Sequence, residues 1–320
     1  MTVAAFAPDG VPEVRAGDDL ATLLLAALAP GDELADGDVV VVTSKAVSKA
    51  EGRVVDGDRA EHLAAETARV VARRGPTTIV RTRHGLTLAA AGIDNSNVAQ
   101  GRAVLLPLDP DRSARRLREA LHARTGRTIG VILTDTAGRA WREGQTDIAI
   151  GAAGVLVAED FGGRVDGYGN ELAVTAPAVA DEIAGLAELA QGKLGGRPFA
   201  IVRGRGDLVL APGVDGPGAA ALVRGDGADL FGFGAREAVV RAVRGAAADR
   251  APFGRPAEPE EVAEALTAAL GVEVAHIDDD TLAVPATWAR LADVVAFAFG
   301  WEPVGASAED ADHQIHRVTP

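Results

Sequence analysis

The chain has 320 residues, of which 48% are hydrophobic, so it is long and apolar enough for two folded domains and is not a disordered chain. Its formal net charge of −14 and the lack of a long Lys/Arg block argue against sequence-independent binding of DNA or RNA. Cysteine is absent, which excludes disulfides, thiolate nucleophiles and cysteine-based zinc sites. No apolar run reaches the roughly 20 residues that span a bilayer, so we expect a soluble, cytoplasmic protein.

The first part of the chain is predicted to alternate strands and helices. A β-branched run over residues 38–43 predicts a buried strand, and the polar TSKAVSKAEGR after it predicts a loop at the strand end. Apolar residues at helical spacing predict a helix over residues 61–74, which Gly75 and Pro76 end. TTIVRTR, residues 77–83, predicts a strand, and GLTLAAAGIDNSNV then runs into a cluster of turn-forming residues.

The middle of the chain has the clearest patterns. Residues 111–124 predict a helix with Asp at its start and Gly126 after its end, and residues 128–134 predict a buried strand. The end of this strand is expected to deliver Asp135 and Thr136 into a loop. The next predicted elements are a helix over residues 179–191 and a strand over residues 199–203.

A change in composition after about Arg250 predicts a domain boundary near Ala251. DRAPFGRPAEPEE is a Pro-rich linker, and the segments after it predict a helix, two strands and a helix, with HQIH in a polar tail. We therefore expect a domain over residues 1–250 and a small C-terminal α/β extension over residues 251–320.

Familiar nucleotide-binding motifs do not occur. GLAELAQGKL has six residues between its glycines where the Walker pattern has four, and Leu follows Lys where that pattern has Ser or Thr. The glycines of GDGADLFGFGAREA do not follow the G-x-G-x-x-G order after a strand, so a Rossmann-type site is unsupported. The candidate site residues are therefore polar residues at strand ends.

Asp94 and Asp135 lie beside hydroxyl and amide residues at the edges of apolar runs. Hard divalent cations such as Mg²⁺ and Mn²⁺ favour carboxylate, hydroxyl and carbonyl oxygens, and Thr136 adds a further oxygen of this kind. The alternative is that GIDNSN is an Asx-turn, because Asp and Asn are the commonest turn residues.

Basic residues accompany both acidic segments. Ser44, Lys45 and Lys49 at a strand end have the donors and charge that phosphate oxygens require, although a solvated lysine pair fits TSKAVSK equally. GRAWR is expected to bring Arg139 and Arg142 close to Asp135. There they would either bind an anionic substrate or form an ion-pair network with that carboxylate.

Several long motifs together resemble the coenzyme F420:L-glutamate ligase family, also called the F420-0:gamma-glutamyl ligases. The resemblance extends over roughly residues 8–245, in the family's order and with compatible spacing. The matching segments are VPEVRAGDDL, DVVVVTSKAVSKAEGR, GIDNSNV, VILTDTAGRAWREGQTD, DGYGNELAVTAPAVADEIAGLAELAQGK and PFAIVRG.

The resemblance implies an α+β fold with mixed sheets and flanking helices, in an interlocked homodimer. It also implies a GTP-dependent ligase that joins L-glutamate, through its amine, to the carboxylate of the deazaflavin coenzyme F420-0. An acyl phosphate is the implied intermediate, and further glutamates would be γ-linked. The alternatives are a non-catalytic protein that binds a nucleotide or a deazaflavin, and a metal-dependent GTP phosphohydrolase.

The resemblance also implies roles for individual residues. GTP contacts are assigned to Val11, Pro12, Glu13, Val14, Ser44, Lys49 and Asn97. One divalent ion, Mg²⁺ or Mn²⁺, is assigned to Asp94 and Asp135 and a second to Thr136, with K⁺ as a further candidate cation. Stabilisation of developing negative charge is assigned to Lys49, Arg139 and Arg142.

One position and one segment depart from the family pattern. Lys193 stands about where some members have an oxygen ligand, so no metal ligand is predicted there. Some members carry a fused nitroreductase-like domain, for which the C-terminal extension of this chain is too small. We therefore expect the extension to bind no flavin.

Overall fold

The computed structural model describes residues 2–305 and 312–318. The chain divides into two compact units, Met1–Val223 and Arg224–Pro320. The two units meet between Val223 and Arg224, earlier in the chain than the boundary predicted near Ala251. The predicted division into a ligase domain and a C-terminal extension stays a prediction. Among the described residues, no helix is both long enough and apolar enough to cross a membrane.

The first unit combines helices and strands in one mixed α+β fold, which confirms the predicted class; the homodimer stays a prediction. Its α-helices are α1 (Leu20–Ala27), α2 (Ser44–Ala50), α3 (Arg59–Glu66), α4 (Pro110–Thr125) and α5 (Val179–Gln191). Its strands are β1 (Ala4–Phe6), β2 (Val39–Thr43), β3 (Val54–Asp56), β4 (Thr67–Arg74), β5 (Thr77–Thr82), β6 (Thr87–Ala89), β7 (Arg102–Val104), β8 (Gly130–Arg139), β9 (Arg142–Ala153), β10 (Arg164–Val165), β11 (Glu171–Leu172) and β12 (Phe199–Arg203).

A five-stranded sheet in the order β1-β12-β2-β8-β9 forms the centre of the first unit. Strands β2 and β8 are parallel, whereas the other neighbouring pairs are antiparallel. Because side chains alternate along a strand, Val40 and Val42 pack in a core with α4, and Val39 and Val41 pack in a second core with α5. Helices therefore cover both faces, and the parallel pairing of β2 with β8 stops at Thr43 and Thr134, at the carboxyl end of β2.

Smaller sheets complete the first unit. Strand β3 pairs with β7, strands β4, β5 and β6 form an antiparallel sheet, and β10 pairs with β11. Buried side chains that include Val80, Ile93 and Ala103 form a separate apolar cluster beneath the first two of these sheets. Because Ile93 is anchored in this cluster, the polar loop that begins at Asp94 leaves it from a fixed point.

Two predicted elements of the first half are wrong. The polar TSKAVSKAEGR, predicted as a loop, forms helix α2, whose Ser44, Ala46, Val47 and Ser48 are buried. The helix predicted over residues 61–74 ends at Glu66, and the remaining residues form β4. The β-branched Thr67 and Val70 pair with β5, so the strand ladder overrides the helical spacing.

Strand β8 is longer than predicted. It continues through Asp135 and Thr136 to Arg139, because these residues pair with β9 in a hairpin. The predicted helices over residues 111–124 and 179–191, and the strands over residues 38–43, 77–83 and 199–203, are confirmed as α4, α5, β2, β5 and β12.

The second unit is a small α/β structure of its own. Its elements are α6 (Ala235–Arg244), α7 (Pro259–Leu270), β13 (Ala275–Asp278), β14 (Thr281–Pro285), α8 (Ala289–Ala298), β15 (Trp301–Pro303) and β16 (Asp312–Arg317). The sheet order is β13-β14-β16-β15, and Trp301 and Ile315 lie in its core. The predicted helix, two strands and helix are confirmed, but HQIH lies in β16 rather than in a tail without structure.

Candidate functional site

The site lies where the parallel pairing between β2 and β8 ends. Thr43 of β2 is in register with Thr134 of β8, so Ser44 and Asp135, the next residue on each chain segment, lie side by side. Ser44 Oγ donates a hydrogen bond to Asp135 Oδ1 at 3.2 Å. Ser44 is buried and opens helix α2, which fixes the position of its hydroxyl.

Asp94 is both a turn residue and a member of this group. Its carboxylate accepts hydrogen bonds from the backbone N–H of Ser96 at 2.7 Å and from Ser96 Oγ at 2.9 Å, which is the Asx-turn of the alternative interpretation. Lys45 Nζ lies 2.6 Å from Asp94 Oδ2 and donates to Ser96 Oγ at 2.7 Å. Burial opposes ionisation of Asp94, but the hydrogen bonds from Lys45 and Ser96 outweigh it and lower its pKa.

Asp135 has a different electrostatic environment. Burial and the negative charges of Asp147 and Asp94 raise the pKa of Asp135 from 3.8 to about 7, against the hydrogen bonds from Ser44 and the backbone of Thr136. Within the described residues, no ion pair joins Asp135 to a basic side chain. The structure thus brings Asp94 and Asp135 close enough for their charges to interact, and it leaves Asp135 without a neutralising cation.

Gly92 provides the space in which Asp135 lies. Its φ is +70°, and a Cβ added there would lie 2.9 Å from Leu106 Cδ1 and 3.1 Å from Asp135 Oδ2. Both distances are too short for a relaxed carbon contact. The glycine therefore allows the loop that carries Asp94 to approach Asp135.

We expect Gly92→Ala to lower the free energy of unfolding by about 2 kcal/mol, because alanine is strained at positive φ and also crowds Asp135. Gly101→Ala is the matched control: its φ is +77°, but nothing lies within 4 Å of the added Cβ. Urea unfolding of both variants separates backbone strain from crowding. Equal losses in the two variants would show that contact with Leu106 and Asp135 has no energetic cost.

The residues assigned to the nucleotide also converge. Lys49 Nζ donates to the backbone carbonyl of Asn97 at 2.7 Å and lies 3.5 Å from Glu13 Oε1. In the segment before Glu13, Val11 packs against the main core and Pro12 is exposed; after it, Val14 is buried. Helix α2 therefore joins the 11–14 segment to the 94–97 loop.

A second polar cluster adjoins Thr136, and sequence reasoning missed most of it. Thr136 Oγ1 donates to Asp147 Oδ1 at 2.7 Å, and Thr134 Oγ1 donates to Asp147 Oδ2 at 2.9 Å. Glu188 accepts from the backbone N–H of Asp147 at 3.1 Å. The only sequence signal for Asp147 is the hairpin: a return strand that begins at Arg142 places Asp147 opposite Thr136.

Lys193 closes this second cluster. Its Nζ donates to Thr136 Oγ1 at 3.0 Å, lies 3.6 Å from Asp147 Oδ1 and forms an ion pair with Glu188. Burial opposes its charge, but the hydrogen bond and the charges from Glu188 and Asp147 outweigh this and raise the pKa of Lys193.

The two candidate arginines are not brought to Asp135. Arg139 and Arg142 are exposed at the tip of the β8–β9 hairpin, where Trp141 has φ +62°. Arg139 Nη2 donates to the backbone carbonyl of Glu143 at 2.8 Å. Arg139 lies four residues beyond Asp135, a Cα separation of about 13 Å along an extended strand, and neither arginine forms an ion pair with Asp135 in the described part of the chain. Their role in the site stays a prediction.

The site therefore belongs to an α+β protein that gathers carboxylates, hydroxyls and lysines where the parallel pairing of two strands ends. The chain matches the model of the F420-0:Gamma-glutamyl ligase family over residues 10–73 and 56–204. These matches cover more than half of the chain. The chain belongs to this family, which confirms the resemblance inferred from the motifs.

Named relatives agree with the family match. The chain is 42% identical over 224 residues to the coenzyme F420:L-glutamate ligase of Archaeoglobus fulgidus, covering 64% of this chain and 88% of that protein. It is 38% identical over 226 residues to the protein of that name from Methanothermobacter thermautotrophicus, covering 64% and 90%. For the Methanopyrus kandleri ligase, identity is 41% over 244 residues, covering 68% and 93%.

Proposed function

We propose that this protein is a GTP-dependent ligase that joins L-glutamate to coenzyme F420-0 in F420 biosynthesis. The observation that carries the proposal is the family match over the same segments that converge in space, namely residues 11–14, helix α2, the 94–97 loop and the end of β8. Relatives named coenzyme F420:L-glutamate ligases support the substrate class.

The convergent segments supply what a bound nucleoside triphosphate needs. Lys49 and Lys45 bring two ammonium groups to the site from one helix, and phosphate oxygens favour such charged donors. Ser44 adds a hydroxyl between them and the carboxylates. Arg139 and Arg142 reach the site only if the hairpin tip faces the substrate, so we assign charge stabilisation to Lys49 first.

The donors at Asp94 and Asp135 fit a hard divalent cation such as Mg²⁺ or Mn²⁺. They offer carboxylate oxygens with the Ser44 hydroxyl alongside, and burial, together with the charges of Asp147 and Asp94, raises the pKa of Asp135. Within residues 2–305 and 312–318, no group of three or more acidic or histidine side chains could hold a metal by itself. Water would therefore complete the coordination, and phosphate oxygens would replace some of it once the nucleotide is bound, where such an ion neutralises phosphate charge.

The proposed reaction makes one bond at each of two steps. A carboxylate oxygen of F420-0 attacks the γ-phosphorus of GTP, the bond from that phosphorus to the β-phosphate oxygen breaks, and GDP leaves. The neutral amine of glutamate then attacks the acyl phosphate, phosphate leaves, and the amine loses a proton. Lys49 would stabilise the charge on the transferred phosphoryl group, and no protein nucleophile is required.

Mass spectrometry tests the proposal against its alternatives. Incubation with F420-0, L-glutamate, GTP and Mn²⁺ should give products heavier than F420-0 by one or more glutamyl residues, together with GDP. GTP hydrolysis without such products would identify a phosphohydrolase. GTP or F420-0 bound without turnover of either would identify a binding protein, and both outcomes would contradict a ligase.

A further inference from the structure

Lys193 places an ammonium group where the sequence predicts a second metal ion. Its Nζ is within 3.0 Å of Thr136 Oγ1, 3.6 Å from Asp147 Oδ1, and ion-paired with Glu188. One cation is thus surrounded by a hydroxyl and two carboxylates from three different elements: β8, β9 and α5. These oxygens are the donors that a second divalent ion would need.

The hydroxyl of Thr136 already donates one hydrogen bond and accepts another. Its proton is donated to Asp147 Oδ1 at 2.7 Å, and its oxygen accepts from Lys193. Asp147 is 5% exposed, and its other carboxylate oxygen accepts from Thr134 at 2.9 Å. A metal at Thr136 would have to displace the ammonium and compete with hydrogen bonds that are largely closed to solvent.

The two predicted metal positions therefore differ in how many of their oxygen donors an ammonium already contacts. Near Thr136, the positive charge of Lys193 faces the negative charges of Asp147 and Glu188. Asp135 has only the Ser44 hydroxyl as a side-chain hydrogen-bond partner in the described part of the chain. Lys45 pairs with Asp94 at 2.6 Å, but within the described residues no ammonium contacts Asp135, so a divalent ion there finds one carboxylate without a cation. An ion beside Thr136 finds Lys193 in contact with the hydroxyl and with both carboxylates.

We propose that the ammonium of Lys193 takes the place of the second metal ion, so that each chain binds one divalent ion, at Asp94 and Asp135. The inference rests on the proposed function for that one ion, and it replaces the second ion that the sequence predicts at Thr136. Lys193 then acts as a positioning residue that holds the Thr136 hydroxyl and supplies positive charge beside Asp147 and Glu188.

Counting bound Mn²⁺ tests the inference without any measurement of activity. Metal-free protein is titrated with Mn²⁺, and the free ion is measured by its electron paramagnetic resonance signal, in the absence of nucleotide because phosphates bind Mn²⁺ themselves. We expect one tightly bound ion per wild-type chain. Lys193→Glu and Lys193→Gln should each bind two, because the ammonium is removed and an oxygen ligand is added.

Arg197→Glu is the matched control, because it makes the same charge change four residues away, at an arginine paired with Asp9 at 2.6 Å. This variant should still bind one ion. The side chain of Lys193 is 61% exposed, so its replacement should leave the fold intact, and circular dichroism of both Lys193 variants checks this.

The outcomes separate this inference from the proposed function. Two tight ions in the wild type, or one ion in both folded Lys193 variants, would overturn the role of Lys193 and leave the ligase proposal standing. A wild type that binds no tight ion would overturn both the inference and the proposed metal site at Asp94 and Asp135. One ion in the wild type and two in a folded Lys193 variant would support the inference even if glutamate addition fails.

Discussion

Asp135→Asn is expected to lower the rate of glutamate addition by about 10³-fold while the fold stays intact. Asparagine keeps the size of the side chain and its contact with Ser44, but it removes the charge that the proposed ion requires. The rate is measured from the mass spectrum of the glutamylated product at increasing Mn²⁺ concentrations. Asp56→Asn is the control, because its carboxylate is exposed and paired with Arg102 at 3.0 Å.

Asp135→Asn should raise the stability of the metal-free protein, although it lowers the activity. Burial and neighbouring carboxylates raise the pKa of Asp135 from 3.8 to about 7, so its ionised form destabilises the metal-free folded protein above pH 7. Asparagine cannot ionise, and Asp135→Asn should therefore stabilise the metal-free protein at pH 8, by at most about 4 kcal/mol. This gain should shrink as the pH falls from 7 towards 4, where the wild-type carboxyl becomes protonated.

Thermal melting of metal-free wild type and Asp135→Asn at pH 8, 6 and 4 checks the stability effect. A variant that keeps the wild-type rate with an unchanged Mn²⁺ dependence would remove Asp135 from the site. A variant that melts lower than the wild type at pH 8 would show that Asp135 has a structural role in the metal-free protein. We expect lost activity together with raised stability. This pattern is typical of a functional residue whose ionised form is unfavourable in the folded protein.

Elements with strong local signals could be predicted from the sequence. Helix α4 starts after Asp109, which accepts a hydrogen bond from the backbone of Arg112, and ends at Gly126 with φ +68°. Strand β2 is a run of buried valines, so periodicity and composition agree. The position of Ser44 at the end of β2 followed from such elements, and the family motifs paired Asp135 with Asp94. Asp135 itself lies within β8 rather than after its end.

Elements that depend on tertiary contacts could not be predicted in the same way. Helix α2 is buried through Ser and Ala as well as Val47, and these small residues carry no apolar pattern. The strand ladder with β5 decides the structure of residues 67–74, where helical spacing and β-branched residues occur together. Asp147 joins Thr136 only through the register of a hairpin, which local sequence does not specify.

Arg118 forms a second polar centre that the sequence did not indicate, and its removal is expected to cost the most stability. The side chain is buried in α4 and packs against Gly154, where an added Cβ would lie 1.9 Å from its Nε. All five N–H donors of the guanidinium are used. The acceptors are the backbone carbonyls of Ile129, Leu210, Ala211 and Val214 and the carboxylate of Asp215, at 2.9–3.1 Å.

Arg118→Ala should lower the free energy of unfolding by about 3 kcal/mol, because it leaves one buried carbonyl, three partly buried carbonyls and a carboxylate without their donor. Arg118→Lys should lose less, since an ammonium keeps the charge but has three donors and cannot span the same acceptors. Arg116→Ala, at an exposed position of the same helix, should change stability by no more than about 0.5 kcal/mol. Urea unfolding followed by circular dichroism measures all three variants, and an Arg118→Ala loss no larger than that of Arg116→Ala would show that this guanidinium does not hold residues 210–215 against α4.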